Sequence, residues 1–279
     1  MTKANAISLT RSLAAHAVLL ALSAAFALPF IWLVITSLKP PRQIFEFPPR
    51  WIPDPIQWSN YREAIQAFPF IDYTINTLFV TLSGTFATVA SSALVAYGFA
   101  VVRWRWSNLF FLVMLSTIML PGQVTAIPVF IIFKQLGWIG SYRPLVIPAF
   151  FANVFFVFLL MQFFRTIPRD LVDAARIDGC SHLDIFWRIM LRLSKPALAV
   201  VMFFSFTGGW NDFMGPLMYL NDDRMYTLSL GLQQFMAQHS AEWHLLMAGS
   251  TLMILPIVAL FFFLQRTFIE GISLTGLKA

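Results

Sequence analysis

Long apolar runs separated by short polar connectors set the pattern of this chain, and within each run the apolar positions are continuous rather than alternating with period two. A run of about 20 apolar residues is long enough, as helix, to cross a hydrocarbon core of about 30 Å. A barrel would instead need short segments that alternate apolar and polar. The pattern predicts six membrane-spanning helices, over residues 13–36, 73–102, 107–133, 144–166, 197–220 and 245–266. The expected fold is all-α, a single polytopic domain over 1–279 with connecting loops at 37–72, 134–143, 167–196 and 221–244.

Composition supports this reading. The chain is 58% hydrophobic and 11% charged, with a mean hydropathy of +0.73, against roughly 45–50% apolar and about 25% charged for a soluble domain. The first run follows Lys3 and Arg11 but exceeds the 7–15 apolar residues of a secretory signal core, so it reads as a retained span. A lone cysteine, Cys180, excludes an intrachain disulfide.

Charge orients the spans. Six crossings put both termini on one side; that side carries twelve of the 19 Lys and Arg residues and the opposite side seven. The positive-inside rule then places the termini and loop 167–196 in the cytoplasm and segment 37–72 outside. That outer segment, "KPPRQIFEFPPRWIPDPIQW", is dense in Pro and Trp, so it is expected to be an extended loop lying along the membrane surface.

Several function classes lack their chemistry. Carriers driven by an ion gradient usually need ionisable groups inside the bilayer, and here the predicted spans hold almost none, Asp212 lying near the outer end of the fifth. The neutral polar residues Asn76, Ser83, Asn153 and Gln162 read as helix–helix hydrogen-bonding groups. None of the 13 glycines is followed by Lys, so the chain lacks a phosphate-cradling G-x-x-x-x-G-K-[ST] loop and any ATPase must be a separate polypeptide. "HSAEWH" (His239, Glu242, His244) lacks the i, i+4 histidine pair that grips zinc. No catalytic residue, metal site or nucleic-acid partner is expected.

One connector is unlike the rest: "DLVDAARIDGCSHLDIFWRIMLRLSKP", from Asp170 to Pro196. Pro168 and Asp170 suit the start of a helix, and Gly179 suits its left-handed end. A short helix over about 168–178 is predicted, with Leu171, Ala174, Ala175 and Asp178 near one face. Ser181 then offers a new N-cap, with Asp184 three residues on. Leu183, Phe186, Ile189, Met190 and Leu193 oppose Arg188, Arg192 and Lys195, so a second, amphipathic helix is expected at the inner membrane surface until Pro196 opens the next span.

The segment resembles the "EAA" motif of permease subunits in binding-protein-dependent ABC importers. Asp173, Ala174, Ala175, Asp178, Gly179, Phe186, Ile189, Leu191 and Pro196 fall in the family's register without a gap. Asp173 stands for the usual Glu, Cys180 for Ala, and Arg192 for an internal Pro, which suggests that the second helix runs unbroken to Lys195. The resemblance implies a type I importer permease fold and a coupling helix that docks on a cytoplasmic ATPase through Asp173, Ala174, Ala175, Asp178, Gly179 and Phe186.

Three further stretches are similar to the carbohydrate-uptake branch, in particular the smaller permease of maltose-type importers: Met119 to Pro148, "WNDFMGPLMYL" from Trp210 to Leu220, and the tail "QRTFIEGISLTGLKA". Trp210, Asn211 and Asp212 combine an aromatic face with hydrogen-bonding groups, which suits a hydroxyl-rich ligand in a translocation pathway or, equally, an interfacial anchor. The resemblance makes the loop after Asn221 a docking candidate for a binding protein, through Asp222, Asp223, Arg224 and Gln233 to His239, with Gln234 among them.

The implied assembly has a second permease, two copies of an ABC ATPase, a periplasmic or lipid-anchored sugar-binding protein and the lipid of a bacterial inner membrane. ATP and Mg would bind the ATPase, and no cofactor this chain. Sugar or oligosaccharide import is the leading expectation. A glycerol-phosphate or polyol importer is the alternative, and a secondary carrier or membrane-embedded enzyme the more distant one.

Overall fold

The computed structural model describes residues 3–102, 104–238 and 242–276, with side chains described between 12 and 267. Arg103, His239, Lys278 and the end of the tail lie outside them. The described residues are mostly helical and form no strand. In chain order the helices are α1 (Lys3–Ser37), α2 (Ser59–Ala67), α3 (Phe70–Ala100), α4 (Ser107–Ser116), α5 (Gly122–Gln135), α6 (Arg143–Val146), α7 (Val154–Phe164), α8 (Arg169–Ile177), α9 (His182–Asp184), α10 (Leu191–Leu193), α11 (Lys195–Trp210), α12 (Met214–Tyr219), α13 (Leu228–Gln238) and α14 (Trp243–Gly276).

Among the described residues, Ser12–Ser37, Phe70–Ala100, Arg143–Phe164 and Trp243–Thr267 are each long and apolar enough to cross a membrane. Two further candidates are bent pairs: Ser107–Met119 with Gly122–Gln135, at 100°, and His182–Leu193 with Lys195–Trp210, at 81°. Counting each bent pair once gives six.

Four expectations need correction. The third run is not one straight helix; it breaks at Leu120–Pro121, where Pro121 supplies no N–H and adopts an extended conformation before α5. The fifth run is helical only to Trp210, interrupts at residues 211–213 and resumes as the six-residue α12. Segment 37–72 is not extended throughout: no proline lies between Pro55 and Pro69, and α2 forms there. Loop 221–244 likewise contains α13.

The chain divides into two compact units, Met1–Phe68 with Leu232–Ile254, and Pro69–Gly231 with Leu255–Ala279. In the first, Ala64, Phe235, Leu245 and Ala248 form a small core with Tyr61 and Phe68 against it. Asn60 Nδ2 donates to the carbonyls of Ser37 (2.8 Å) and Lys39 (2.9 Å), fixing α2 against the end of α1. Lys39 is fully buried with Nζ 4.1 Å from the Trp32 ring centre; burial pushes its ammonium below the usual lysine range, partly offset by Glu46.

The second unit is built around α3, which packs along α7 and α11. Thr77, Thr81, Thr85, Thr88, Ser92 and Ala96 recur every three or four residues and are buried. Small side chains on one stripe let helices approach closely, the main route to helix association where lipid offers no hydrophobic drive. Thr77 Oγ1 also accepts from Leu228 N (2.8 Å), and Asn76 Nδ2 donates to the carbonyls of Arg224 (2.8 Å) and Tyr226 (3.0 Å). Asn153 Oδ1 caps α7 by accepting from Phe155 N (3.0 Å) and Phe156 N (3.3 Å). The neutral polar residues singled out from the sequence therefore bond largely to backbone. Below the α3 stripe, Tyr97, Leu160, Met161, Phe164, Ile185, Phe186 and Met190 build the larger core.

Candidate coupling helix and translocation cavity

The short helix predicted in the polar connector is α8. Pro168 is its N-cap, with extended ψ (130°), and Asp170 places a negative charge in the first turn, where the dipole favours it. The far end closes as a Schellman motif: Gly179 N donates to Arg176 O (3.0 Å), Cys180 N to Ala175 O (2.9 Å), and Gly179 sits at φ +84°. A side chain there would meet no neighbour within 4 Å, so backbone conformation is what calls for glycine.

Burial sorts the six coupling candidates into two sets. Ala175 is 7% exposed and joins Val172 and Phe186 in the core. Asp173, Ala174, Asp178 and Gly179 are exposed. Ala175 and Phe186 thus hold α8 on the body, while Asp173, Ala174, Asp178 and Gly179 lie on its open side.

After Gly179 the chain restarts at Ser181, whose side chain and that of Asp184 form a complete capping box. The Asp184 carboxylate accepts from the Ser181 hydroxyl and from Ser181 N (3.2 Å), and Arg188 Nη2 lies 3.4 Å from its other oxygen. A π-helical turn, Ile185–Met190, leads into α10. The helix passes Arg192 unbroken but ends at Leu193, two residues short of the expected continuation to Lys195, and Ser194 makes the turn into α11. Pro196 falls in the first turn of α11, where its missing N–H is harmless.

The three pathway candidates occupy different environments. Trp210 is 1% exposed and stacks on Phe206 with ring centres 5.6 Å apart, so its face is already covered. Asn211 is exposed and donates to Thr207 O (2.9 Å). Asp212 Oδ1 accepts from Gly215 N (3.1 Å) and thereby caps α12. Asp212 also lines a cavity of about 180 Å³ together with Thr81, Thr85, Thr88, Ser205 and Thr227. The hydroxyls of Thr81 and Thr85 are buried and have no hydrogen-bond partner among the described residues. These threonines were missed from the sequence, although their fourfold spacing in "TLFVTLSGTFAT" is visible there.

Of the docking candidates, Asp222 and Arg224 are paired, with Arg224 Nη2 2.9 Å from Asp222 Oδ2, and that pairing keeps the Asp222 carboxyl low. Asp223 and Gln233 are exposed and Gln234 is half-buried. His239 lies outside the described residues, and no group of three potential metal ligands occurs among them.

Comparison with known proteins places these features in context. The pattern described as "Binding-protein-dependent transport system inner membrane component" matches residues 89–273, which include α8 and, of the cavity lining, Ser205, Asp212 and Thr227 but not the α3 threonines. The arabinooligosaccharides transport system permease protein AraQ of Bacillus subtilis is 32% identical over 260 residues, 92% of each chain. The sn-glycerol-3-phosphate transport system permease protein UgpE of Yersinia enterocolitica is 33% identical over 238 residues, 82% of this chain and 84% of that one. In fold, a chain of a bacterial ABC transporter involved in the import of the acidic polysaccharide alginate matches with a TM-score of 0.80 at 20% identity, covering 96% of this chain and 99% of that one. The chain belongs to the family of binding-protein-dependent transport system inner membrane components.

Proposed function

We propose that this chain is one of two permeases in an ATP-driven importer of a neutral sugar or oligosaccharide, spanning a bacterial inner membrane six times with both termini in the cytoplasm. The observation that carries the reading is the form of α8: a short helix with Asp173, Ala174 and Asp178 exposed, ended by a left-handed glycine and backed by the core through Ala175. Such a helix is held firmly from behind and open in front, as a docking element for a separate ATPase must be. Two ATPase copies closing on ATP would move α8 and its counterpart on the second permease, and the spans would alternate between outward and inward openings.

The cavity supports the substrate class. Its polar lining is hydroxyls and one carboxyl, with no Lys, Arg or His among its described lining residues. A phosphate or uronate group would meet the Asp212 carboxyl without a cation to offset it, whereas a neutral polyhydroxyl ligand offers donors to carboxyl and hydroxyl oxygens alike. The similarity to AraQ favours an oligosaccharide and that to UgpE favours glycerol phosphate; the cavity favours the first. Asn211 and Asp212 are the pathway residues of the three original candidates that remain open to a ligand or line this cavity. Asp223, Arg224 and Gln233 are the exposed candidates for docking a periplasmic or lipid-anchored binding protein.

The test is purification from mild detergent with the neighbouring transport components co-expressed. An ATPase-sized subunit is expected to co-purify, and liganded binding protein is expected to stimulate ATP hydrolysis several-fold, with neutral oligosaccharide and not glycerol 3-phosphate as the effective ligand. Absence of any ATPase partner would refute the importer reading, and stimulation by the phosphate ester would refute the substrate class alone.

A further inference from the structure

The coupling helix is tied to α3 by a hydrogen-bond string that the family motif does not contain. Arg176 Nη2 lies 2.8 Å from His182 Nε2, and His182 Nδ1 lies 2.9 Å from Tyr97 Oη. A guanidinium has donors only, so Nε2 must be the acceptor. The remaining ring proton is then on Nδ1, donated to the tyrosine oxygen. The imidazole also stands edge-on to the Tyr97 ring, which in turn stands edge-on to Phe186. Tyr97 is 4% exposed and sits one turn from the end of α3; Arg176 is in the last turn of α8.

The string therefore joins the free end of α8 to a span. Between Ile177 and His182 the backbone runs through the left-handed Gly179, a turn held by its own local bonds rather than by α3. The core under α8 grips Val172 and Ala175, in the helix itself. Arg176 and His182 bridge the two sides of that turn and anchor both on Tyr97. From Tyr97, α3 continues for twelve residues, about 18 Å at 1.5 Å per residue, to Thr85 in the cavity wall. Helix is stiff over that distance, so displacement at Tyr97 reaches the cavity.

Resting on the importer reading above, we propose that Tyr97, His182 and Arg176 form a transmission joint in which the neutral His182 ring passes movement of the coupling helix to α3, making His182 and Tyr97 positioning residues for transport. A merely structural role would lower stability or assembly without changing how much ATP each transport event consumes.

The experiment uses the complete importer in proteoliposomes and measures ATP hydrolysed per molecule of substrate taken up. His182→Phe keeps a ring beside Tyr97 but removes both nitrogens, and Tyr97→Phe removes only the hydroxyl. Each is expected to raise ATP per substrate by about 5-fold or more, the low end of the coupling typical between linked sites. The double variant is expected to be no worse than either single one, as for groups acting in one string. His182→Gln, which offers both an acceptor and a donor, is expected to recover most of the coupling. If Tyr97→Phe and His182→Phe assemble and keep the wild-type ratio, the joint is refuted while the importer stands. If His182→Phe does not assemble, Tyr97→Phe alone decides by the same ratio. Loss of ATPase association in the unmodified protein would instead refute the importer reading.

Discussion

Gly179→Pro is expected to abolish uptake while leaving the chain in the membrane. Gly179 has φ +84° and its N–H closes the end of α8 on Arg176 O at 3.0 Å. Proline is locked near φ −65° and has no N–H, and a misplaced proline costs about 3 kcal/mol or more. That energy corresponds to a population factor of about 100, so uptake is expected to fall about 100-fold. The spans do not depend on this turn, and membrane-fraction yield should match the parent. Gly179→Asn is the informative control, because asparagine tolerates the left-handed region better than other side chains. It is expected to retain most of the uptake, and loss of activity equal to that of the proline variant would place the requirement in the small size of glycine instead of its backbone.

The second large effect separates two neighbouring alanines. Ala175 is 7% exposed among Val172, Phe186 and Met190, so Ala175→Glu would bury a charge with no partner. Such a charge costs several kcal/mol, which is enough to lift α8 from the body. The variant is expected to lose uptake and ATPase association together and to unfold in detergent at a lower temperature. Ala174 is exposed, so Ala174→Glu should change stability by no more than about 0.5 kcal/mol, as surface substitutions usually do. Its expected defect is confined to ATPase association, measured by co-purification, because the added charge and bulk stand on the docking side. If Ala174→Glu binds the ATPase normally, the exposed edge of α8 is not the contact.

That pair also shows where sequence reasoning stopped. The motif gave Asp173, Ala174, Ala175, Asp178, Gly179 and Phe186 as one group, and the helical ends from Pro168 and Gly179 were legible because capping and left-handed geometry are local properties. Which alanine faces the core is set by what packs behind the helix, and that depends on residues as distant as Tyr97 and Phe164. His182 carried no signal for the same reason: beside a serine N-cap it reads as an ordinary polar residue until Tyr97 is brought to it.

The spans tell a similar story. Apolar length pointed to six runs, of which four are single helices long enough to cross a membrane; "LPG" at 120–122 contains residues that break a helix, and composition averaged over the run concealed them. The break after Trp210 is bracketed by Gly208–Gly209 and Gly215–Pro216, and it falls where Asp212 accepts a hydrogen bond from Gly215 N. Trp210 itself looked available for stacking because an aromatic beside polar residues is ambiguous in sequence, and only packing shows its face taken by Phe206. Helix α13 lay in a segment read as a connector because its apolar stretch is shorter than a span.

The central claim is that the exposed edge of α8 is the surface that meets the ATPase. Site-directed cross-linking tests it most directly: with Cys180 replaced by serine, a single cysteine is placed at Ala174 or at Ala175 and a short bifunctional thiol reagent is applied to the assembled importer. A covalent adduct between this chain and the ATPase is predicted from position 174, with a yield that changes on adding ATP, and none from the core-facing position 175. No adduct from position 174 in a complex that still hydrolyses ATP, or equal adducts from both positions, would contradict it.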